Sequence, residues 1–128
     1  MKLLLDTVAV YRFAAMPDAL SSGARALLAD DGNQLFVSAV SAWELAVKSS
    51  LGKLALPCKI DEFFSQTTRD LLAETVDFDL RFVAKVAVLP HHHGDPFDRM
   101  IIAQALVDGY TVLTSDTHFA SYGVNVLW

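Results

Sequence analysis

Cysteine is nearly missing from this chain. Cys58 stands alone, which excludes an internal disulfide and any zinc site built from several cysteines. A reducing, cytoplasmic setting is the expectation that follows. No apolar run approaches the ~20 residues that a membrane-spanning helix needs. The opening MKLLLDT meets an aspartate after three leucines, unlike the uninterrupted apolar stretch of a signal peptide. Basic residues are in the minority, 10 Lys+Arg against 15 Asp+Glu, for a net charge of −5. A broad basic nucleic-acid surface is therefore not expected, although an enzyme that concentrates acid at a metal site remains open. Repeats, low-complexity segments and linkers are absent. Glutamate is scarce as well: 12 of the acidic residues are Asp and 3 are Glu. Asp is the weaker helix former, so helix propensity does not explain that choice. Asp caps helices and turns, and its short arm suits metal binding. Asp18, Asp61 and Asp79 read as caps.

What is present points to one domain over 1–128, because a chain of this length that is 53% hydrophobic can bury a core. KLLL at 2–5 reads as a buried strand ending at Asp6. A helix over 7–15 is stopped by Pro17. Ser21 or Ser22 caps a helix to about Ala29, and Asp30–Asn33 is a turn. LFV at 35–37 is a second strand, followed by a helix from Ser38 to Ser50 that ends near Gly52. Further helices are expected over 61–73 and 79–88, with a strand at 75–78 between them. Pro90, three histidines and Gly94 form a loop, and Pro96 opens a helix to Val107. A strand at 111–114, a helical turn at 117–122 and a strand at 124–127 complete the chain. Strands alternating with helices imply an α/β fold with a mostly parallel sheet.

Asp6 and Asp116 each follow a strand. In an open α/β sheet, functional groups gather beyond the carboxyl ends of the strands, but capping of the next helix accounts equally well for either residue alone. Glu44 shares a helix face with Val40, Val47 and Leu51. A glutamate in an apolar stripe is costly unless its charge is compensated; Lys48, four residues on, is the obvious counter-charge. Asp95 and Asp98 begin a helix that is apolar nearly all round and therefore buried. Asp98 shares a face with Ile102 and Ala105, which turns it toward the interior; Arg99 beside it reads as a counter-charge. If these acids converge, they cannot all ionise without a cation. Hard ions such as Mg²⁺ take carboxylates plus waters and leave room for phosphate oxygens. Two such ions ~3.5–4 Å apart can activate water and stabilise a leaving oxygen. The residues alone thus suggest a metal-dependent phosphoryl hydrolase.

The same residues carry a resemblance. LLLDT at 3–7, FVSAVSAWELAVKSSLGKL at 36–54, HGDPFDRMIIAQAL at 93–106, TSD at 114–116 and YGVNVLW at 122–128 resemble PIN-domain proteins, specifically VapC-type toxin ribonucleases of toxin–antitoxin modules. The resemblance implies a three-layer α/β/α sandwich and a Mg²⁺- or Mn²⁺-dependent endoribonuclease leaving 5′-phosphate and 3′-hydroxyl ends. It also implies a homodimer and an antitoxin whose tail blocks the acidic site. By position, Asp6, Glu44, Asp98 and Asp116 match the family's catalytic acids, and Asp95 joins the metal-binding group through the DPFD variant. Thr7, Ser38 and Thr114 are candidate hydroxyls that orient the carboxylates, with Ser38 equally readable as an N-cap. Many close relatives carry His after Asp-Thr, where this chain has Val8.

Of the histidine run 91–93, a solvated loop is the main expectation, with His93 a candidate contact to RNA phosphate. Arg12, Lys48, Lys53 and Arg99 are candidates to hold the RNA backbone, ordinary surface charge being the alternative. Trp43, Phe97 and Trp128 read as core, and His118 as a residue that caps or packs. Two rival functions stand beside the nuclease. One is a catalytically silent PIN-fold scaffold. The other is an aspartyl-nucleophile phosphatase, which usually wants a second acid where Val8 sits.

Overall fold

Successive side chains of a strand point to opposite faces, and the leucines of β1 (Lys2–Leu5) use both. Leu3 and Leu5 pack on one side with Ala9, Val10, Ala24 and Leu71. Leu4 packs on the other with Phe36, Ile101, Ile102 and Val112. A strand buried on both faces belongs in the middle of a covered parallel sheet. In the computed structural model, which describes all 128 residues, β1 is the centre of a five-stranded sheet in the order β3-β2-β1-β4-β5. Its other strands are β2 (Gln34–Ser38), β3 (Glu74–Val76), β4 (Thr111–Leu113) and β5 (Val126–Leu127), and every pairing is parallel.

Helices α1 (Thr7–Ala15), α2 (Ser22–Ala29) and α4 (Ile60–Leu71) cover the Leu3/Leu5 face. Helices α5 (Leu80–Val88) and α6 (Pro96–Asp108) cover the Leu4 face, joined by Val40 of α3 (Ala39–Ser50). This is the expected three-layer sandwich. The chain builds β2 and β3 on one side of β1, then crosses to β4 on the other. Strand order thus reverses at β1, and a crevice opens at the carboxyl ends of β1 and β4.

Differences from the sequence reading are local. The strand expected at 75–78 lies at Glu74–Val76, and the last strand shrinks to Val126–Leu127. Such short edge strands carry little periodicity. Asp79 caps α5, but Asp61 lies inside the first turn of α4, and Asp18 lies in a 3₁₀ turn at Pro17–Ala19. Trp43 is not core: it is 51% exposed, edge-on to Phe97 at 4.6 Å.

Gln104, in the middle of α6, is fully buried with neither amide atom partnered. An unsatisfied buried polar group costs about 1–3 kcal/mol. Gln104→Met keeps the shape and removes both orphans, so it should raise unfolding stability by about 1–2 kcal/mol. Urea denaturation monitored by tryptophan fluorescence checks this; a lowered midpoint would show that the amide is bonded in solution.

Candidate active site

Four of the five acids of the crevice sit at helix starts, and Glu44 sits in the middle of α3. Asp6 follows β1, and its N–H donates to the Leu113 carbonyl of β4 at 3.2 Å. Its Oδ1 caps α1 by accepting from Ala9 N–H at 2.7 Å, and its Oδ2 accepts from the Thr114 hydroxyl at 2.6 Å. Thr114 Oγ1 in turn accepts from Asp116 N–H at 3.0 Å, so one hydroxyl ties the two strand-end acids together. Asp116 caps the 3₁₀ turn Thr117–Tyr122 through Oδ1, which takes the His118 N–H at 2.9 Å and lies 2.8 Å from His118 Nδ1. Asp95 caps α6 with its Oδ1, accepting from Phe97 and Asp98 N–H. Capping and site formation are therefore not rivals here. For Asp95 and Asp116, one carboxyl oxygen satisfies a helix terminus and the other stays available.

Glu44 is 3% exposed on α3. Its Oε2 pairs with Lys48 Nζ, and its Oε1 is buried with no partner. The pairing raises the Lys48 pKa, with the charges of Asp95 and Asp98 adding to the shift.

The electrostatics show how closely the acids converge. Burial lifts Asp6 to about 6 against the lowering effect of the Thr114 and Ala9 bonds, with Glu44 and Asp116 raising it further. Asp98 is pushed up to about 7, first by burial and then by the charges of Asp95, Glu44, Asp6 and Asp116. Asp116 differs. Burial pushes it up, but the backbone and ring bonds of His118 outweigh that and leave its pKa lowered. Five carboxylates from four segments thus act on one another across the crevice.

Other residues singled out in the sequence fall elsewhere. Thr7 does not reach a carboxylate; its hydroxyl donates to Ser41 Oγ at 3.1 Å. Ser38 serves as the α3 cap, accepting from Val40 N–H at 3.0 Å. Arg12 lines a groove beside the crevice with Glu44 and Lys48, its guanidinium 5.4 Å from the Trp128 ring centre. Lys48 faces the acids but is committed to Glu44.

Arg99 overturns its sequence reading, both as a phosphate contact and as a counter-charge. It is 7% exposed, and its guanidinium donates to the carbonyls of Pro90 (2.7 Å), Val86 and Leu89 (3.3 Å each) and to the Tyr122 hydroxyl (3.1 Å). It thus satisfies the carboxyl end of α5, where the helix dipole favours a cation.

The histidine loop is not wholly solvated either. His93 is partly buried, with Nε2 3.6 Å from both Asp98 Oδ2 and Asp116 Oδ2. Tyr122 has no spacing signal in the sequence, while His118, expected to cap or pack, bonds Asp116 instead.

The donor set suits a hard divalent cation. It is oxygen-rich, clustered, partly buried and includes the orphaned Glu44 Oε1, and such acids cannot all carry charge without a counter-ion.

A three-layer α/β/α fold with an acidic crevice at the strand-order reversal defines the class of protein. Comparison with known families makes it specific: the PIN domain matches residues 3–125, and the chain belongs to that family. It is 29% identical over 121 residues to Ribonuclease VapC22 of Mycobacterium tuberculosis, covering 94% of this chain and 91% of that protein. Among solved structures, VapBC2 from Rickettsia felis bound to a DNA fragment from its promoter superposes with a TM-score of 0.68 at 19% identity, covering 99% of this chain and 98% of that one. FitAcB from Neisseria gonorrhoeae gives 0.60 at 22% identity, with 98% and 96% coverage.

Proposed function

We propose that this protein is a divalent-metal-dependent endoribonuclease and the toxin of a toxin–antitoxin pair. The observation that carries the chemistry is the convergence of five carboxylates at one crevice, where burial first and the four neighbouring acids next lift Asp98 to about 7. The similarity to Ribonuclease VapC22 supports RNA as the substrate. The fold shared with VapBC2, and with a toxin–antitoxin complex from Klebsiella pneumoniae, supports an antitoxin partner. A single domain, a homodimeric assembly and a cytoplasmic location belong to the same reading.

Asp6, Asp98 and Asp116 would hold Mg²⁺ or Mn²⁺, with Asp95 and the free oxygen of Glu44 beside them. When bound, such an ion polarises the phosphoryl group and activates water. The chain's own residues supply the geometry. Thr114 and the Ala9 N–H fix the Asp6 carboxylate in one orientation, and His118 fixes Asp116. Lys48 holds Glu44 and offsets part of the negative charge that would repel an RNA backbone.

The test is cleavage of total cellular RNA by purified, antitoxin-free protein in Mg²⁺, Mn²⁺ or EDTA, beside Asp6→Asn and Asp98→Asn. Cleavage is expected with either cation. EDTA or either substitution should lower it by more than about 100-fold. Folded protein that neither binds a divalent cation nor cleaves RNA would instead establish the silent scaffold.

A further inference from the structure

Three side chains near the crevice, His93, Asp116 and His118, present ligand atoms within 4.8 Å of one another, which on distances alone suggests a nitrogen-containing metal site. The hydrogen bonding of His93 argues otherwise. Its Nδ1 accepts from the Asp95 backbone N–H at 2.9 Å. A backbone N–H is an obligate donor, so Nδ1 offers its lone pair and the ring proton resides on Nε2. Histidines that ligate metals do the reverse, donating from the second nitrogen to a carboxylate, carbonyl or water. His93 is therefore built as a donor into the crevice.

That donor has no partner within the chain. Nε2 lies 3.6 Å from Asp98 Oδ2 and 3.6 Å from Asp116 Oδ2, beyond hydrogen-bond range of either. The ring is also held in place. His93 N–H donates to the Tyr122 hydroxyl at 2.8 Å, and Tyr122 is gripped by Arg99 at 3.1 Å. Arg99 anchors the preceding Pro90 carbonyl at 2.7 Å. Both ends of the loop are thus fixed to buried groups while Nε2–H points between two acids.

The geometry points to His93 as a fixed Nε2–H donor to a phosphate oxygen of the substrate, seated between Asp98 and Asp116, and not as a metal ligand. The phosphate identity rests on the nuclease reading; the donor assignment does not. A cation among the carboxylates makes the crevice receptive to an anion, and a neutral imidazole donor then selects an oxygen at a defined position.

Two measurements on the full-length protein decide it. With ¹⁵N-labelled histidine, multiple-bond ¹⁵N–¹H correlation spectra should place the His93 proton on Nε2. Inorganic phosphate added to Mg²⁺-saturated protein should shift that Nε2 signal. A proton on Nδ1, or no response to phosphate, overturns the proposal. In kinetics on single-stranded RNA, His93→Ala should lower kcat/KM by about 10- to 100-fold, the range for a hydrogen bond to a charged group. His93→Gln, which retains an N–H donor at nearly the same reach, should recover most of the loss. The Mn²⁺ dissociation constant should stay within about twofold in both variants. A large loss of Mn²⁺ affinity in both would make His93 a ligand and overturn the proposal. If the wild type cleaves no RNA, the nuclease reading fails, and the spectra still decide the role of His93.

Discussion

Metal-free protein is expected to lose stability as the pH rises from about 4 to about 7, and a divalent cation is expected to restore it. The sign follows from the two raised carboxyls. Asp6 titrates at about 6 and Asp98 at about 7 in the folded chain, against an ordinary 3.8. Between those values the folded state holds protons that the unfolded chain has released, so stability falls as pH climbs through the window and levels off above it. At ~1.4 kcal/mol per pKa unit, the two groups together cost on the order of 7 kcal/mol. That figure is an upper bound, because each acid feels the other. Asp116 and Asp79 are lowered instead, so their contributions are lost below the window, as pH falls under the ordinary carboxylate range. Metal-free stability should therefore peak near the acid end of the window. A bound cation requires the carboxylates deprotonated, so its stabilising effect should grow with pH. Thermal unfolding at several pH values, with Mg²⁺ and with EDTA, checks this. Asp6→Asn should flatten the metal-free profile and raise stability at the alkaline end. A metal-free profile flat across the window, or one that Mg²⁺ leaves unmoved at the alkaline end, would remove the basis for a cation site.

The crevice was legible in the sequence to the extent that its residues break local rules. Asp6 and Asp116 stand where a buried strand ends, and Glu44 interrupts an apolar helix face. Those are placements that patterning alone would not select, and the topology brings them together. The compensating pair of Glu44 was also readable, because an i,i+4 ion pair is a sequence-local event. Side chains whose partners are main-chain carbonyls were not readable. Arg99 stands next to Asp98 and in sequence reads as its counter-charge, yet its partners are carbonyls of residues 86, 89 and 90 and a phenol at Tyr122. No residue type at a fixed spacing announces such a bond. The histidine run shows the same limit. Consecutive loop residues point different ways: His91 is exposed, His92 lies edge-on to the Tyr122 ring at 5.0 Å, and only His93 turns toward the acids. Trp43 departs from the usual core placement of a tryptophan on an amphipathic helix. Here the apolar face of α3 is occupied by Val40 and Leu45, and the indole is left outside against Phe97.

Replacing Arg99 should be as damaging as truncating a buried core side chain. The guanidinium is buried without a carboxylate partner, so its worth lies in the carbonyls that it satisfies. Arg99→Ala leaves the buried Leu89 carbonyl without a donor, takes the guanidinium from the Pro90 and Val86 carbonyls, opens a cavity beneath the histidine loop and frees Tyr122. Hydrogen bonds from a charged donor contribute about 1.5–3 kcal/mol each, less than additively when they share one group. A loss of about 3–5 kcal/mol is expected, a large share of the 5–15 kcal/mol typical of a folded domain. Arg99→Lys should recover little, because a single ammonium cannot fork to three carbonyls and a phenol at once. Tyr122→Phe offers the graded control. It retains the ring packing and removes only the bonds to Arg99 and His93, so it should cost about 1–2 kcal/mol. Because Tyr122 also accepts the His93 N–H, that variant should impair RNA cleavage more than its modest stability loss explains. Urea unfolding of the three variants, with cleavage assayed where each remains folded, separates these effects. If Arg99→Lys is as stable as the wild type, the fork of carbonyl bonds is not what holds the loop. If Tyr122→Phe cleaves RNA at the wild-type rate, the loop does not need its anchor to present His93.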